Sequence, residues 1–140
     1  METVKKYLLE FSGKQGLYVI RPKSIALLKL MCEKLLYTYS SEIAYIGKAE
    51  ITKSSDLGKR AQQEMGWSNF EGATFVRKLG LYLDYDIKDK TNKRLREQTR
   101  NFICENFLIQ CIECEDNIDV QKLETEYIKI YKPCLNKKKK

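Results

Sequence analysis

Histidine is absent from the 140 residues. That absence removes Ser-His-Asp and Cys-His hydrolysis, His-ligated zinc and every mechanism that runs through an imidazole base. Only 2 prolines and 7 glycines are present against 43% apolar and 32% charged residues, the balance of a globular chain rather than a disordered one. Long apolar runs are missing too. The richest, residues 25–37, is interrupted by Lys29, Glu33 and Lys34, so no membrane span is expected. The first 16 residues hold neither the apolar run nor the small-residue cleavage site of a secretion signal, which points to a cytoplasmic chain. No Walker A loop occurs, and no GxGxxG follows a strand, so a nucleotide cofactor has no support. Proton transfer is left to carboxylates, lysine, tyrosine or water activated by a metal.

What is present fits one domain with one core. The net charge is +7, but the four lysines at 137–140 supply more than half of it, leaving the body near +3. A basic chain attracts polyanions, yet a terminal lysine run is more often solvated than bound. Five cysteines (32, 104, 111, 114 and 134) make an odd number and read as reduced thiols. Cys111 and Cys114 form a CxxC, but residues 107–113 read as a strand, where positions three apart project to opposite faces. Zinc knuckles place CxxC on a tight turn, so buried free thiols are the expectation.

Periodicity divides the chain as follows. Residues 16–20 (GLYVI) form a short strand with Leu17 and Val19 on one face, ended by Pro22. Residues 24–37 show helical spacing, with Ile25, Leu28, Cys32 and Leu35 in a stripe widened by Leu27, Met31 and Leu36. Residues 43–47 (IAYIG) form a second strand, and Asp56 is the N-cap candidate of a helix beginning DLGKRAQQEM. Residues 66–74 are rich in turn formers, and residues 75–85 fit helix and strand equally. Residues 88–100, the most basic stretch of the body, read as a solvated or phosphate-contacting helix face. A third strand lies within 102–113. A last helix starts at Asp119 or a neighbour, carries a stripe of Val120, Leu123, Tyr127 and Ile130 or Tyr131, and stops at Pro133. The alternation implies an α/β or α+β fold with a small sheet.

Several short motifs fall in a set order: Gly16-Leu17-Tyr18, then Tyr45-Ile46-Gly47, then Arg60 on the following helix, then Glu124 in LETEYIKIYKPCLN, closing with Asn136. From Gly16 to Asn136 the chain resembles the GIY-YIG nuclease family, whose members cleave DNA phosphodiesters with a divalent metal. YIGKA, DLGKR and LETEYIKIYKPCLN look especially like the nuclease domain at the N-terminus of the bacterial excision-repair incision protein. The resemblance implies a mainly antiparallel three-stranded sheet flanked by helices. It also implies one domain over 1–136, with an inserted helix near 24–38 and a basic tail at 137–140.

The same resemblance assigns roles. Glu124 holds Mg²⁺ or Mn²⁺, and a single carboxylate suits an ion that keeps several waters. Arg60 steadies the phosphate with its planar fork; its bland alternative is an i,i+4 ion pair with Glu64. Tyr18 or Tyr45 serves as general base or water-orienting group, with Lys48 as the cation that lowers a phenol pKa near ~10. Gly47 lets phosphate approach the backbone. Asn136 helps fix the site geometry and, with Lys59 and Arg77, completes the substrate-binding set. Trp67 is assigned to packing. Three departures stand out. Leu17 replaces isoleucine, and Glu64 stands where homing-type members have histidine and the repair type has tyrosine, so that it is either a base, a second metal-side group or the sign of a missing proton relay. The spacer between the two tyrosines is also long, and its helix could pack on the sheet, form a dimer face or contact DNA. The expectation is a Mg²⁺- or Mn²⁺-dependent DNA endonuclease, with a homodimer left open. The alternative is a module on the same scaffold that binds DNA or protein without cutting.

Overall fold

The computed structural model describes residues 1–68, 72–85 and 92–136. In chain order they form α1 (Glu2–Leu9), β1 (Gln15–Pro22), α2 (Ile25–Leu35), β2 (Tyr45–Ala49), α3 (Leu57–Glu64), α4 (Thr74–Tyr82), α5 (Lys93–Asn106), β3 (Phe107–Cys114), α6 (Val120–Tyr131) and a 3₁₀ turn (Cys134–Asn136). The strands make one antiparallel sheet in the order β2-β1-β3. This is the expected α+β architecture. No helix among the described residues is long and apolar enough to cross a membrane.

Central β1 is covered on both faces, so Leu17 to Ile20 are all buried. One face carries α6, whose Tyr127 and Ile128 pack with Val19, Ile43 and Ile46 and with Ile112 of β3. The other face holds the larger core, in which Tyr18 and Ile20 meet Leu28, Leu57, Phe75 and Phe107. A strand buried on both sides reads as a continuous apolar run, which is why GLYVI is legible.

Local signals account for several boundaries. Ser24 caps α2 by accepting from the Leu27 N–H, Asp56 caps α3 at 2.8 Å from Lys59 N, and Asp119 caps α6 at 3.1 Å from Lys122 N. The inserted helix α2 packs on α4 and β1, the first of the three placements left open for it. Its inner side is Leu28, Met31, Cys32 and Leu35; Leu36 takes a left-handed conformation (φ 63°) and is exposed.

Four expectations change. Residues 2–9 form a helix that the periodicity reading did not assign. The second strand begins two residues later than expected and runs on to Ala49, because the Ile43 and Ala44 carbonyls are taken by Cys134 N and Leu135 N of the 3₁₀ turn. The ambiguous stretch after residue 74 is helical. The α6 stripe bends away from its expected end: Ile130 is 68% exposed and Tyr131 47% exposed, whereas Ile128 turns inward. Residues 88–91 of the basic stretch, residues 69–71 of the turn-rich stretch and the tail at 137–140 lie outside the described residues. All five cysteines are free thiols. Cys111 is buried on β3, which pushes its thiol up to about 12.

Candidate active site

Antiparallel pairing of β1 and β2 places Tyr18 directly opposite Gly47. The Tyr18 ring lies across Gly47, where a β-carbon would collide with the phenol carbons and hydroxyl. Gly47 is therefore required by Tyr18. Tyr45 sits two residues earlier on β2, its ring stacked at 6.3 Å from Tyr18 and 6.0 Å from Phe75. Arg60 is brought in by α3, and Glu124 by α6 from the other side of β2.

These elements enclose an open cleft of about 410 Å³, bordered by Tyr18, Tyr45, Gly47, Lys48, Arg60 and Glu124. Six of the expected site residues thus meet in one place. Three do not: Lys59 borders a neighbouring cleft, Arg77 is exposed on α4, and Asn136 points at the back of β2. The Asn136 amide accepts from Ile46 N and donates to Ile46 O, both at 2.8 Å, so it extends the edge of β2 like a further strand. Glu50, Thr52 and Ser55 also line the cleft and were not anticipated. Glu50 follows Lys48 by two positions and pairs with it at 2.7 Å, a spacing that could have signalled it.

The alternative reading of Arg60, an ion pair with Glu64, does not form among the described residues; the two side chains take separate arrangements. Arg60 donates through Nη1 to Gln63 Oε1 at 2.8 Å and through Nη2 to Gly72 O at 3.3 Å. Glu64 is buried: Oε2 accepts from the Tyr18 hydroxyl at 2.9 Å, and Oε1 accepts from Phe75 N and Val76 N at 3.0 and 3.2 Å. The latter two are first-turn donors of α4, whose own N-cap, Ala73, has no side chain able to accept them. Glu64 therefore caps a helix from a different element.

Burial raises the Glu64 pKa, with the Tyr18 hydrogen bond, the α4 backbone and Arg60 pulling against it. Burial likewise lifts Tyr18 well above 10, with the Glu64 charge adding to it. Tyr45 is pushed up to about 12, first by burial and then by Glu64. Burial and Glu64, rather than Lys48, set the direction at both tyrosines. Lys48 is occupied by Glu50, and both phenols are held protonated. Glu124 is half-buried and raised by desolvation, against the pull of Lys48 and Arg60.

No curated protein and no solved structure matches the chain. The closer likeness to the excision-repair domain rests on the short motifs alone. A family match does span the site, from the first motif glycine through Asn136. The match implies a nuclease-type function in general terms, and the chain belongs to the GIY-YIG catalytic domain family, matched over residues 16–140.

Proposed function

We propose that the chain is a Mg²⁺- or Mn²⁺-dependent endonuclease that hydrolyses DNA phosphodiester bonds. The observation that carries this reading is the convergence of Arg60 and Glu124, from helices on opposite sides of β2, on one cleft walled by two neutral tyrosines. A cleft with a guanidinium and a carboxylate on separate supports can grip a phosphate and charge-balance an approaching cation at once.

The residues fit a hard divalent ion. The Glu124 carboxylate is half-buried and makes no hydrogen bond or ion pair among the described residues. Such a group gains from a cation that replaces its lost hydration. No cluster of three or more His, Cys, Asp or Glu side chains that could cage a metal occurs among the described residues. One carboxylate with water and phosphate oxygens as the other ligands is the Mg²⁺ pattern rather than that of zinc. When bound, the ion supplies Lewis acidity to the phosphoryl oxygens.

The chain's own groups do the rest. Arg60 is braced by Gln63 and Gly72 and keeps further N–H donors for the phosphate, whose negative charge grows as phosphorus becomes five-coordinate. The Tyr18 hydroxyl donates its one hydrogen bond to Glu64, so toward the cleft it can only accept one. It orients the attacking water through that lone pair, while a raised pKa keeps it from acting as a phenolate base. Lys48 and Glu50 form a pair at the rim, able to meet a neighbouring phosphate. Asn136 keeps β2, and with it Tyr45 and Gly47, in register.

The test is incubation of supercoiled plasmid with the chain in Mg²⁺, Mn²⁺ or EDTA, beside Arg60→Ala and Glu124→Ala of verified fold. Metal-dependent nicking that both substitutions abolish supports the reading. The second reading is favoured by Glu64, whose carboxylate is committed to Tyr18 and α4 where homing-type family members have a histidine. On that reading the domain binds without cutting. Salt-sensitive DNA affinity indifferent to EDTA, with no cleavage, would establish it.

A further inference from the structure

A second cleft, of about 270 Å³, adjoins the first; Ser55 lines both. Its wall is one face of α3, where Lys59, Gln62 and Gln63 follow the i, i+3, i+4 rule, and it is closed by Trp67 and Ser68. Arg60 leaves α3 toward the catalytic cleft, yet it donates to Gln63 on the wall of the second. The two clefts are therefore joined by a loop residue and by a hydrogen bond.

The chemistry of the second cleft differs from that of the first. No carboxylate is among the described residues that line it. The Lys59 ammonium makes no ion pair and the Gln62 side-chain amide no hydrogen bond among the described residues. Trp67 is half-buried, with the Arg100 guanidinium 5.7 Å from its ring centre, an arrangement that steadies the indole. An aromatic plane, an amide with both donor and acceptor, and an unpaired ammonium are the groups that recognise a base, its edge and its phosphate.

We propose that this cleft receives the base of an unpaired nucleotide next to the scissile phosphate: stacked on Trp67, read at its edge by Gln62, its phosphate met by Lys59. This rests on the nuclease reading and narrows it. A volume of about 270 Å³ has room for one base; a base stacked on Trp67 with its edge at Gln62 cannot also be stacked and paired in a duplex, so the preferred DNA has a flap, bulge or extruded base at the cut.

Trp67 is the only tryptophan of the chain, so its emission reports on this cleft directly. The experiment titrates the wild-type chain, in EDTA so that nothing is cut, with three DNA probes. One is fully paired, one carries a single unpaired nucleotide, and one has an abasic residue at the unpaired position. The expected result is quenching by the unpaired base, with affinity roughly ten- to a hundred-fold weaker for the abasic probe. Gln62→Ala and Lys59→Ala, both remote from the core, should weaken the bulged probe selectively. Equal affinity for the three probes without quenching overturns the cleft assignment and leaves the nuclease reading standing. Absence of binding to all three also overturns the cleft assignment, and plasmid cleavage in Mg²⁺ or Mn²⁺ decides the nuclease reading separately.

Discussion

Tyr18 and Gly47 are cross-strand partners in which the side chain of one occupies the space a side chain of the other would need. The ring that borders the catalytic cleft is seated on bare backbone. Gly47→Ala must push the phenol away from β2, and buried Tyr18 has little room to move. A loss of about 1–3 kcal/mol is expected in denaturant titration, together with loss of cleavage. Tyr18→Phe combined with Gly47→Ala should not restore stability, because the ring carbons clash as well as the hydroxyl.

Glu64 separates a structural from an electronic role. Glu64→Ala strands Phe75 N–H, Val76 N–H and the Tyr18 hydroxyl in the interior, and roughly 3 kcal/mol or more should be lost. Glu64→Gln can still accept both α4 donors through its carbonyl, but its amide donates to Tyr18 and reverses that hydrogen bond. This variant should keep its melting temperature and lose most of its cleavage rate. Equal rates in Glu64→Gln and wild-type protein would remove Tyr18 from the orientation of water.

The pH dependence of stability follows from the same carboxyl. Its pKa in the fold lies above the ordinary 4.5, so the protonated form is the one the fold favours. Stability from this group is complete below pH 4.5 and is lost as pH rises through the folded value. Half-buried Glu124 has the same sign. Denaturation of wild type and Glu64→Gln at stepped pH should therefore show wild type declining more steeply above pH 4.5.

Tyr45 gives an alkaline marker. Held up to about 12, it should not contribute phenolate absorbance until well above the exposed tyrosines. The difference between wild type and Tyr45→Phe in an ultraviolet titration should appear only near that pH. A difference already present near pH ~10, the ordinary phenol value, would reopen the phenolate-base mechanism.

Asn136 should behave as a strand rather than as a ligand. Asn136→Ala frees both backbone groups of Ile46, at a cost of roughly 1–2 kcal/mol, and loosens the strand that carries Tyr45 and Gly47. Reduced kcat with KM little changed is the expected kinetic result, since substrate contacts stay in place.

Some of this was legible in the residue order. GLYVI and YIG stand out because a strand covered on both faces is apolar throughout, and Asp56 and Asp119 announce their helices by local capping. The second half of the site was not. Residues 74–82 (TFVRKLGLY) place apolar side chains at both helical and strand spacings, and the acceptor that decides for helix is Glu64, on another element earlier in the chain. Glu64 itself looked like one end of a surface ion pair, because a sequence does not show that a carboxylate is enclosed by β1 and α4. Helix α1 carries one fully buried side chain, Leu8, too little periodic signal to identify it. Asn136 acts across 90 residues of chain, and no local pattern encodes its partner.

That first helix has a consequence for where the domain should be cut. The family match starts at residue 16, but the folded unit does not. The Tyr7 hydroxyl accepts from Cys111 N on the outer edge of β3, the Lys14 carbonyl accepts from Leu57 N, and the Gly13 N–H donates to Asp56. Gly58 is a glycine because α3 lies against the chain at Leu8 and Phe11. An expression boundary drawn by similarity would discard the segment that blunts the open side of the sheet. The shortened chain would carry every motif residue and leave the Cys111 N–H of β3 without its Tyr7 acceptor, an open donor for another strand.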